Sequence, residues 1–333
     1  MHVKVQKETF LDRPKEEILY KYAPEELYSI GTEQSAIPEL AKNIKLLNSI
    51  ETILSELPTF HHFHLHDSTN MTFLKPDSVH LIVTSPPYWT LKKYNSNERQ
   101  LGDVEDYESF LHELNKVWKQ CFKALVPGGR LICVVGDVCL SRRNNNGRHT
   151  VVPLHASIQE QCRKIGYDNL APIIWHKISN ATYEAGKGSS FLGKPYEPNA
   201  IIKNDIEYIL MERKPGGYRS PSSIERYFSV ISNDNHKEWF KQIWDGITGA
   251  STKEHPAPYP LELAKRLIRM FSFVGDTVLD PFLGSGTTSL AAWHTGRNSI
   301  GVEIDEKYLT KSINRFSHET NILNSKHVIN VFK

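Results

Sequence analysis

The apolar positions of this chain fall into short β-branched runs separated by stretches of helical periodicity, the alternation expected of a sheet with helices on both faces. Runs at 79–83, 130–136, 171–175, 206–211, 277–280 and 299–303 are apolar through their middles, which predicts strands buried on both faces and so a mostly parallel sheet. Between them, 106–125 reads as a helix that stops at Val126-Pro127-Gly128-Gly129. Leu261, Leu263, Ala264, Leu267 and Ile268 share one face of a second helix, entered through the prolines of 256–260, and a third is predicted over 287–294. Ahead of the strands, Leu40, Ile44, Leu47, Ile50, Ile53, Leu54 and Leu57 recur at near-helical spacing and predict a helical lead-in. At 61–67 the pattern alternates, giving a further strand with His62, His64 and His66 on one face. The expected fold is a doubly wound α/β sheet.

Composition narrows the class. With 333 residues and 39% hydrophobic content the chain can bury a sizeable core. No apolar run approaches the length of a spanning helix and Met1-His2-Val3-Lys4 lacks a signal-peptide core, so a soluble cytoplasmic protein without membrane partners is expected. Cys121, Cys133, Cys139 and Cys162 show no paired spacing, which favours free thiols. Three alternating histidines without a carboxylate or cysteine at ligand spacing do not make a metal site, and none is expected. Gly186-Lys187-Gly188-Ser189-Ser190 lacks the ending of a phosphate-binding loop, which disfavours a nucleotide triphosphatase. A net charge of +2 leaves any polyanion contact to local patches.

Candidate chemistry collects where strands stop. The run at 79–84 ends in Ser85-Pro86-Pro87-Tyr88, where two prolines fix φ and lack N–H groups, so the Ser85 and Pro86 carbonyls can point outward beside the Ser85 hydroxyl and Tyr88 ring. Two acceptors that each take one amino hydrogen favour a pyramidal nitrogen with a released lone pair, while an aromatic face holds a flat group. From these four residues alone, a plain proline-stopped strand with a surface tyrosine reads equally well. Later, 277–280 runs into Phe282-Leu283-Gly284-Ser285-Gly286 and a helix from Thr287. Glycines let the backbone approach a ligand, the helix amino terminus favours an anion, and Glu303 at the next strand's end suits a pair of ribose hydroxyls. A dinucleotide site shares these last features.

Taken together, Thr84-Ser85-Pro86-Pro87-Tyr88-Trp89 and Asp280-Pro281-Phe282-Leu283-Gly284-Ser285-Gly286-Thr287-Thr288 resemble the S-adenosylmethionine-dependent amino-methyltransferases of DNA, over roughly residues 60–310. Catalytic motif first and glycine motif second is similar to the permuted β class, and Ser85 in place of an acidic residue or Asn is similar to its cytosine-N4 branch. The resemblance implies the methyltransferase type of doubly wound sheet in circularly permuted order, with the strands at Leu81 and Val278 close together. It implies S-adenosyl-L-methionine as cofactor, held by Asp67, Asp280, Phe282, Gly284, Ser285, Gly286, Thr287 and Glu303, and a catalytic set of Ser85, Pro86, Pro87 and Tyr88. Asp67 would lie near the adenine, though it suits a helix N-cap nearly as well. Gln120, Ile132, Val138 and Gln161 precede the cysteines, so the Pro-Cys step of carbon methylation is missing. Adenine N6, or an amine on RNA, stays open beside cytosine N4.

Double-stranded DNA is the expected partner, together with a restriction endonuclease acting on the same site. Lys92 and the loop of Arg142, Arg143 and Arg148 follow strand ends and suit phosphates, while Tyr218, Arg219, Arg226 and Trp239 interleave basic and aromatic residues suited to base reading. The expected organisation is a helical N-terminal extension over 1–58, a catalytic domain over 59–213 and 251–333, and a target-recognition segment over 214–250.

Overall fold

The computed structural model describes residues 15–30, 36–89, 101–104, 106–140, 145–177, 204–249, 259–322 and 327–333; Lys92, Arg142 and Arg143 lie outside them. In chain order the strands are β1 Thr59–Leu65, β2 Val79–Thr84, β3 Leu125–Val135, β4 Val138–Leu140, β5 Thr150–Val152, β6 Asp168–His176, β7 Ile206–Arg213, β8 Ile243–Trp244, β9 Thr277–Asp280, β10 Asn298–Glu303 and β11 His327–Phe332. Nine of the described strands form one sheet in the order β11-β1-β10-β9-β2-β3-β7-β6-β8, and β4 pairs with β5. All pairs in the large sheet are parallel except those made by β7, which runs against β3 and β6. The doubly wound, mostly parallel fold is therefore as expected, and Leu81 pairs with Val278 in adjacent strands.

Both faces of the sheet are covered, which is why its strands are apolar throughout. Within β3, Leu131, Cys133 and Val135 enter one core with Phe110, Leu114 and Trp118, while Ile132 and Val134 enter another with Leu263, Leu267 and Ile268. The helix Tyr107–Ala124 starts at Asp106, whose carboxylate accepts the Ser109 N–H at 2.8 Å. Cys121, Cys133 and Cys162 are buried free thiols. None of the described helices is long and apolar enough to cross a membrane.

Two local expectations are corrected. The glycine-proline stretch does not separate helix from strand: β3 begins at Leu125, and its register against β2 shifts between Val79 and Leu81, so Val126-Pro127-Gly128-Gly129 forms an irregularity inside the strand. The helical lead-in is broken as well, into Ile37–Leu40 and Ile44–Leu54, because the Asn43 side chain accepts the Leu46 N–H at 3.1 Å and starts a new helix. These helices bury Leu40, Leu47, Ile50 and Leu54 against Tyr227, Phe228 and Val274.

Strand direction gives the sheet two unlike edges. The carboxyl ends of β1, β10, β9, β2, β3 and β6 share one edge with the amino end of the reversed β7. In open α/β sheets ligands bind at that edge.

Candidate active site

Asp280 ties the two motif-bearing strands together. Its carboxylate is 1% exposed and accepts from Thr84 Oγ1 at 2.7 Å, the Phe282 N–H at 3.0 Å, Thr288 Oγ1 at 2.5 Å and the Tyr259 hydroxyl at 3.4 Å. Burial pushes its pKa up. Asp280, expected among the cofactor contacts, has both its oxygens engaged by protein donors and is the latch that fixes the glycine turn against the residue preceding Ser85.

On the β10 side of this latch the glycine turn is held by Glu303. The Gly284 N–H donates to Glu303 Oε2 at 2.9 Å and the Asp305 N–H to Oε1 at 3.0 Å. Gly284 and Gly286 have φ of 52° and 77°, in the region that favours glycine, and a Cβ on Gly286 would come within 3.0 Å of Ser312 Cβ. Burial lifts the Glu303 carboxyl to a pKa of about 7, against the two backbone donors that hold it down. Arg315 grips the turn through the Ser285 carbonyl and Thr287 Oγ1, both at 3.1 Å. Asp67 lies just beyond β1, beside β10, and its Oδ1 accepts the Thr69 N–H at 2.9 Å and Thr69 Oγ1 at 2.8 Å; it closes a turn and is not a helix N-cap, since no helix lies between β1 and β2. Phe282 packs edge-on to Trp118 with ring centroids 6.2 Å apart. A close backbone turn, an acid at the next strand's end and a helix amino terminus fit the diol and carboxylate of a nucleoside amino acid.

On the β3 side, Ser85 and Tyr88 complete the edge. The Ser85 hydroxyl has no hydrogen-bond partner among the described residues, which leaves it available as an acceptor. Tyr88 is 8% exposed, and its hydroxyl donates to Glu207 Oε1 at 2.9 Å while accepting the Gly136 N–H at 3.3 Å. Lys177 in turn bonds Glu207 Oε1. Sequence reading passes over Glu207 and Lys177; the available signal is a lone acid in the otherwise apolar start of β7. Asp137, one residue past Gly136, bonds His155 Nδ1 at 2.6 Å, and the His155 ring stacks on Tyr208 at 3.8 Å.

The DNA-contact residues divide. Arg148 is exposed in the turn between β4 and β5, beyond the carboxyl end of β3. Arg219 is not part of this edge: it grips Asp276, at the opposite end of β9, through both terminal nitrogens at 2.8 and 2.5 Å. The same holds for much of the 214–250 segment, whose helix Ser223–Phe228 packs on the N-terminal helices. The alternating histidines serve packing, with His64 stacked between Phe73 at 4.2 Å and Phe332 at 4.4 Å, and burial lowers its pKa to about 4. Among the described residues no group of three or more His, Cys, Asp or Glu is placed to hold a metal ion.

A glycine turn and a ribose-type acid on neighbouring parallel strands, latched to a Ser-Pro-Pro-Tyr turn on the next, define a methyltransferase of the S-adenosylmethionine-dependent fold. The family model described as DNA methylase, the N6 and N4 group, matches residues 79–314, and the chain belongs to that family. It is 38% identical over 282 residues to the type II methyltransferase M.MjaI of Methanocaldococcus jannaschii, covering 75% of this chain and 89% of that one. With M.MthZI of Methanothermobacter thermautotrophicus it shares 36% over 275 residues, 76% of this chain and 75% of the relative. Among solved structures, TTHA0409 of Thermus thermophilus in complex with S-adenosyl-L-methionine is similar at 48% identity and a TM-score of 0.67, over 82% of this chain and 98% of that one. The cytosine-N4-specific PvuII DNA methyltransferase, 19% identical with a TM-score of 0.56 over 82% of this chain and 96% of its own, shares the fold.

Proposed function

We propose that this DNA methyltransferase transfers a methyl group from S-adenosyl-L-methionine to the N4 amino group of cytosine in duplex DNA, as the modifying partner of a restriction endonuclease in the cytoplasm. The observation that carries the choice of base is Ser85: a neutral hydroxyl without a protein partner among the described residues stands where an acid would add charge beside the nitrogen.

Glu303, Gly284 and the amino end of the helix Thr287–His294 would hold the cofactor, which supplies an electrophilic methyl group on a good leaving group. The protein's own task is alignment. A base taken out of the duplex would lie on Tyr88, its amino hydrogens directed to Ser85 Oγ and the Pro86 carbonyl, so that the nitrogen lone pair is exposed toward the cofactor side. The Asp280 latch sets the distance between the two halves by bonding Thr84 at 2.7 Å and Phe282 at 3.0 Å. Arg148 stands on the same edge and suits a phosphate near the extruded base.

Nucleoside mass spectrometry of DNA from a host expressing the protein tests this directly. N4-methylcytosine is expected; N6-methyladenine without it would move the enzyme to the adenine branch, and methylation of RNA alone would remove DNA as substrate.

A further inference from the structure

Building on that reading of Tyr88, we propose that Glu207, neutralised by Lys177, is the positioning residue that fixes the Tyr88 ring against the target base. The hydroxyl of a tyrosine in an open pocket ordinarily turns toward water, and the ring turns with it. Here both hydrogen-bonding capacities of the phenol are taken by fixed partners with opposite roles. Its proton goes to Glu207 Oε1 at 2.9 Å and its oxygen receives the Gly136 N–H at 3.3 Å. Bonds made at the ring's far end set its depth and tilt.

The surroundings are built for this contact. Glu207 is 9% exposed, and a carboxylate so buried needs a cation nearby. Lys177 provides one from the end of β6, with its ammonium also 4.8 Å from the centroid of the Trp175 ring and its backbone N–H bonded to the Asp205 carbonyl at 2.9 Å. Gly136 packs closely against both partners: a Cβ there would lie 3.3 Å from Glu207 Cγ and 3.5 Å from Tyr88 Cε1. Three separate elements thus converge here, the end of β3 and the start of β7 on the hydroxyl and the end of β6 on Glu207.

The test uses the full chain, tritiated S-adenosyl-L-methionine and unmethylated plasmid DNA. Glu207→Ala should lower kcat by roughly ten- to a hundredfold, the scale of a small misplacement in an aligned site, with cofactor affinity by calorimetry changed less than threefold. Glu207→Gln retains a carbonyl acceptor and should restore kcat to within about threefold. Because the acid acts through the phenol, Tyr88→Phe combined with Glu207→Ala should be no slower than the worse single variant. Tyr88→Phe, which keeps the ring, carries the question by itself if the alanine variant fails to bind cofactor: it should lose at least about tenfold in kcat. Full activity of Glu207→Ala or Tyr88→Phe, no rescue by Gln, or multiplicative losses in the double variant would overturn the proposal. Tyr88→Ala separates the levels: at full rate it removes Tyr88 from the base site altogether, whereas an inactive Tyr88→Ala beside a fully active Tyr88→Phe overturns only the brace.

Discussion

Removing the Asp280 carboxylate tests whether cofactor turn and catalytic turn are one mechanical unit. Asp280→Ala takes the acceptor from the Phe282 N–H and Thr84 Oγ1, while Thr288 Oγ1 can still reach the Val83 carbonyl at 3.2 Å and the Tyr259 hydroxyl keeps its bond to Thr288 Oγ1. At about 1–3 kcal/mol for each buried donor left unpaired, two orphans set the scale. No cation is among the hydrogen-bond partners of Asp280 in the described residues, so deleting a desolvated carboxyl returns part of that loss. The net expectation is destabilisation by roughly 2–4 kcal/mol. Asp280→Asn keeps a carbonyl at one position and presents an NH₂ to hydroxyls that can turn and accept. Since burial already raises the carboxyl's pKa, the loss of charge assistance should be only about 1–2 kcal/mol. Urea unfolding reads the stability, and methyl transfer well below the transition reads the geometry. Alanine should slow transfer by tenfold or more through Ser85, the neighbour of Thr84, where asparagine should stay within a few-fold. An alanine variant as stable and as active as the asparagine variant would refute the latch.

Ser85→Ala should leave cofactor binding within about twofold and lower the methylation rate roughly tenfold to a hundredfold, because the acceptor matters most as the amine pyramidalises; pre-steady-state transfer on plasmid DNA measures it. Glu303→Ala should weaken S-adenosyl-L-methionine binding by about 1.5–3 kcal/mol in calorimetry. With the Glu303 carboxyl at a pKa of about 7, unmutated affinity should rise as pH increases from 6 to 8, a trend that Glu303→Gln should flatten. Glu212 is 0% exposed, and burial lifts its pKa from 4.5 to about 8 against the Gln159 side chain that holds it down. An acid whose pKa is raised by folding stabilises the fold least at high pH, so stability should be lost between pH 4.5 and 8. Glu212→Gln should therefore be stabilising at pH 8 by a few kcal/mol more than at pH 5 in denaturant titrations; an equal effect at both would show that Glu212 does not titrate in this range.

What the sequence discloses, and what it hides, follows the range of the forces involved. The strands at 277–280 and 299–303 and the helix over 287–294 are legible because β-branched runs, glycines and helical periodicity act within a few residues. So is the turn at 85–88, which its own prolines enforce. The 214–250 segment shows a missed local signal: Ser222 and Glu225 form a reciprocal capping box, and Ser232 caps the next helix, so the stretch is partly helical rather than irregular. Contacts between distant positions leave no such trace. The Thr84 to Asp280 bond spans 196 residues and the Tyr88 to Glu207 bond 119, and nothing about Glu207 as a letter in an apolar strand indicates its partner. Arg219 shows the same limit: a basic residue among aromatics suits a phosphate contact, and no local signal announces the buried carboxylate with which it pairs.

The two edges of the sheet manage buried acids in opposite ways, and the difference bears on which ligand each edge can take. At the amino edge Asp276 is 0% exposed. Burial works to raise its pKa, but hydrogen bonds from Arg219 and the charges of His80 and Lys15 take it below the usual carboxylate range. That acid is neutralised and ties the N-terminal helix Lys15–Tyr22 to the body. At the carboxyl edge Asp280 and Glu303 are held by hydroxyls and backbone N–H groups instead, and both pKa values move up. Arg315, the cation on the glycine turn among the described residues, bonds the Ser285 carbonyl and Thr287 hydroxyl rather than either carboxylate. Acids without cationic partners leave a negative potential where they sit, and a positively charged ligand recovers part of the energy of burying them. A sulfonium cofactor has that charge and its demethylated product does not, so on the proposed placement an ionised Glu303 would favour the cofactor over its product.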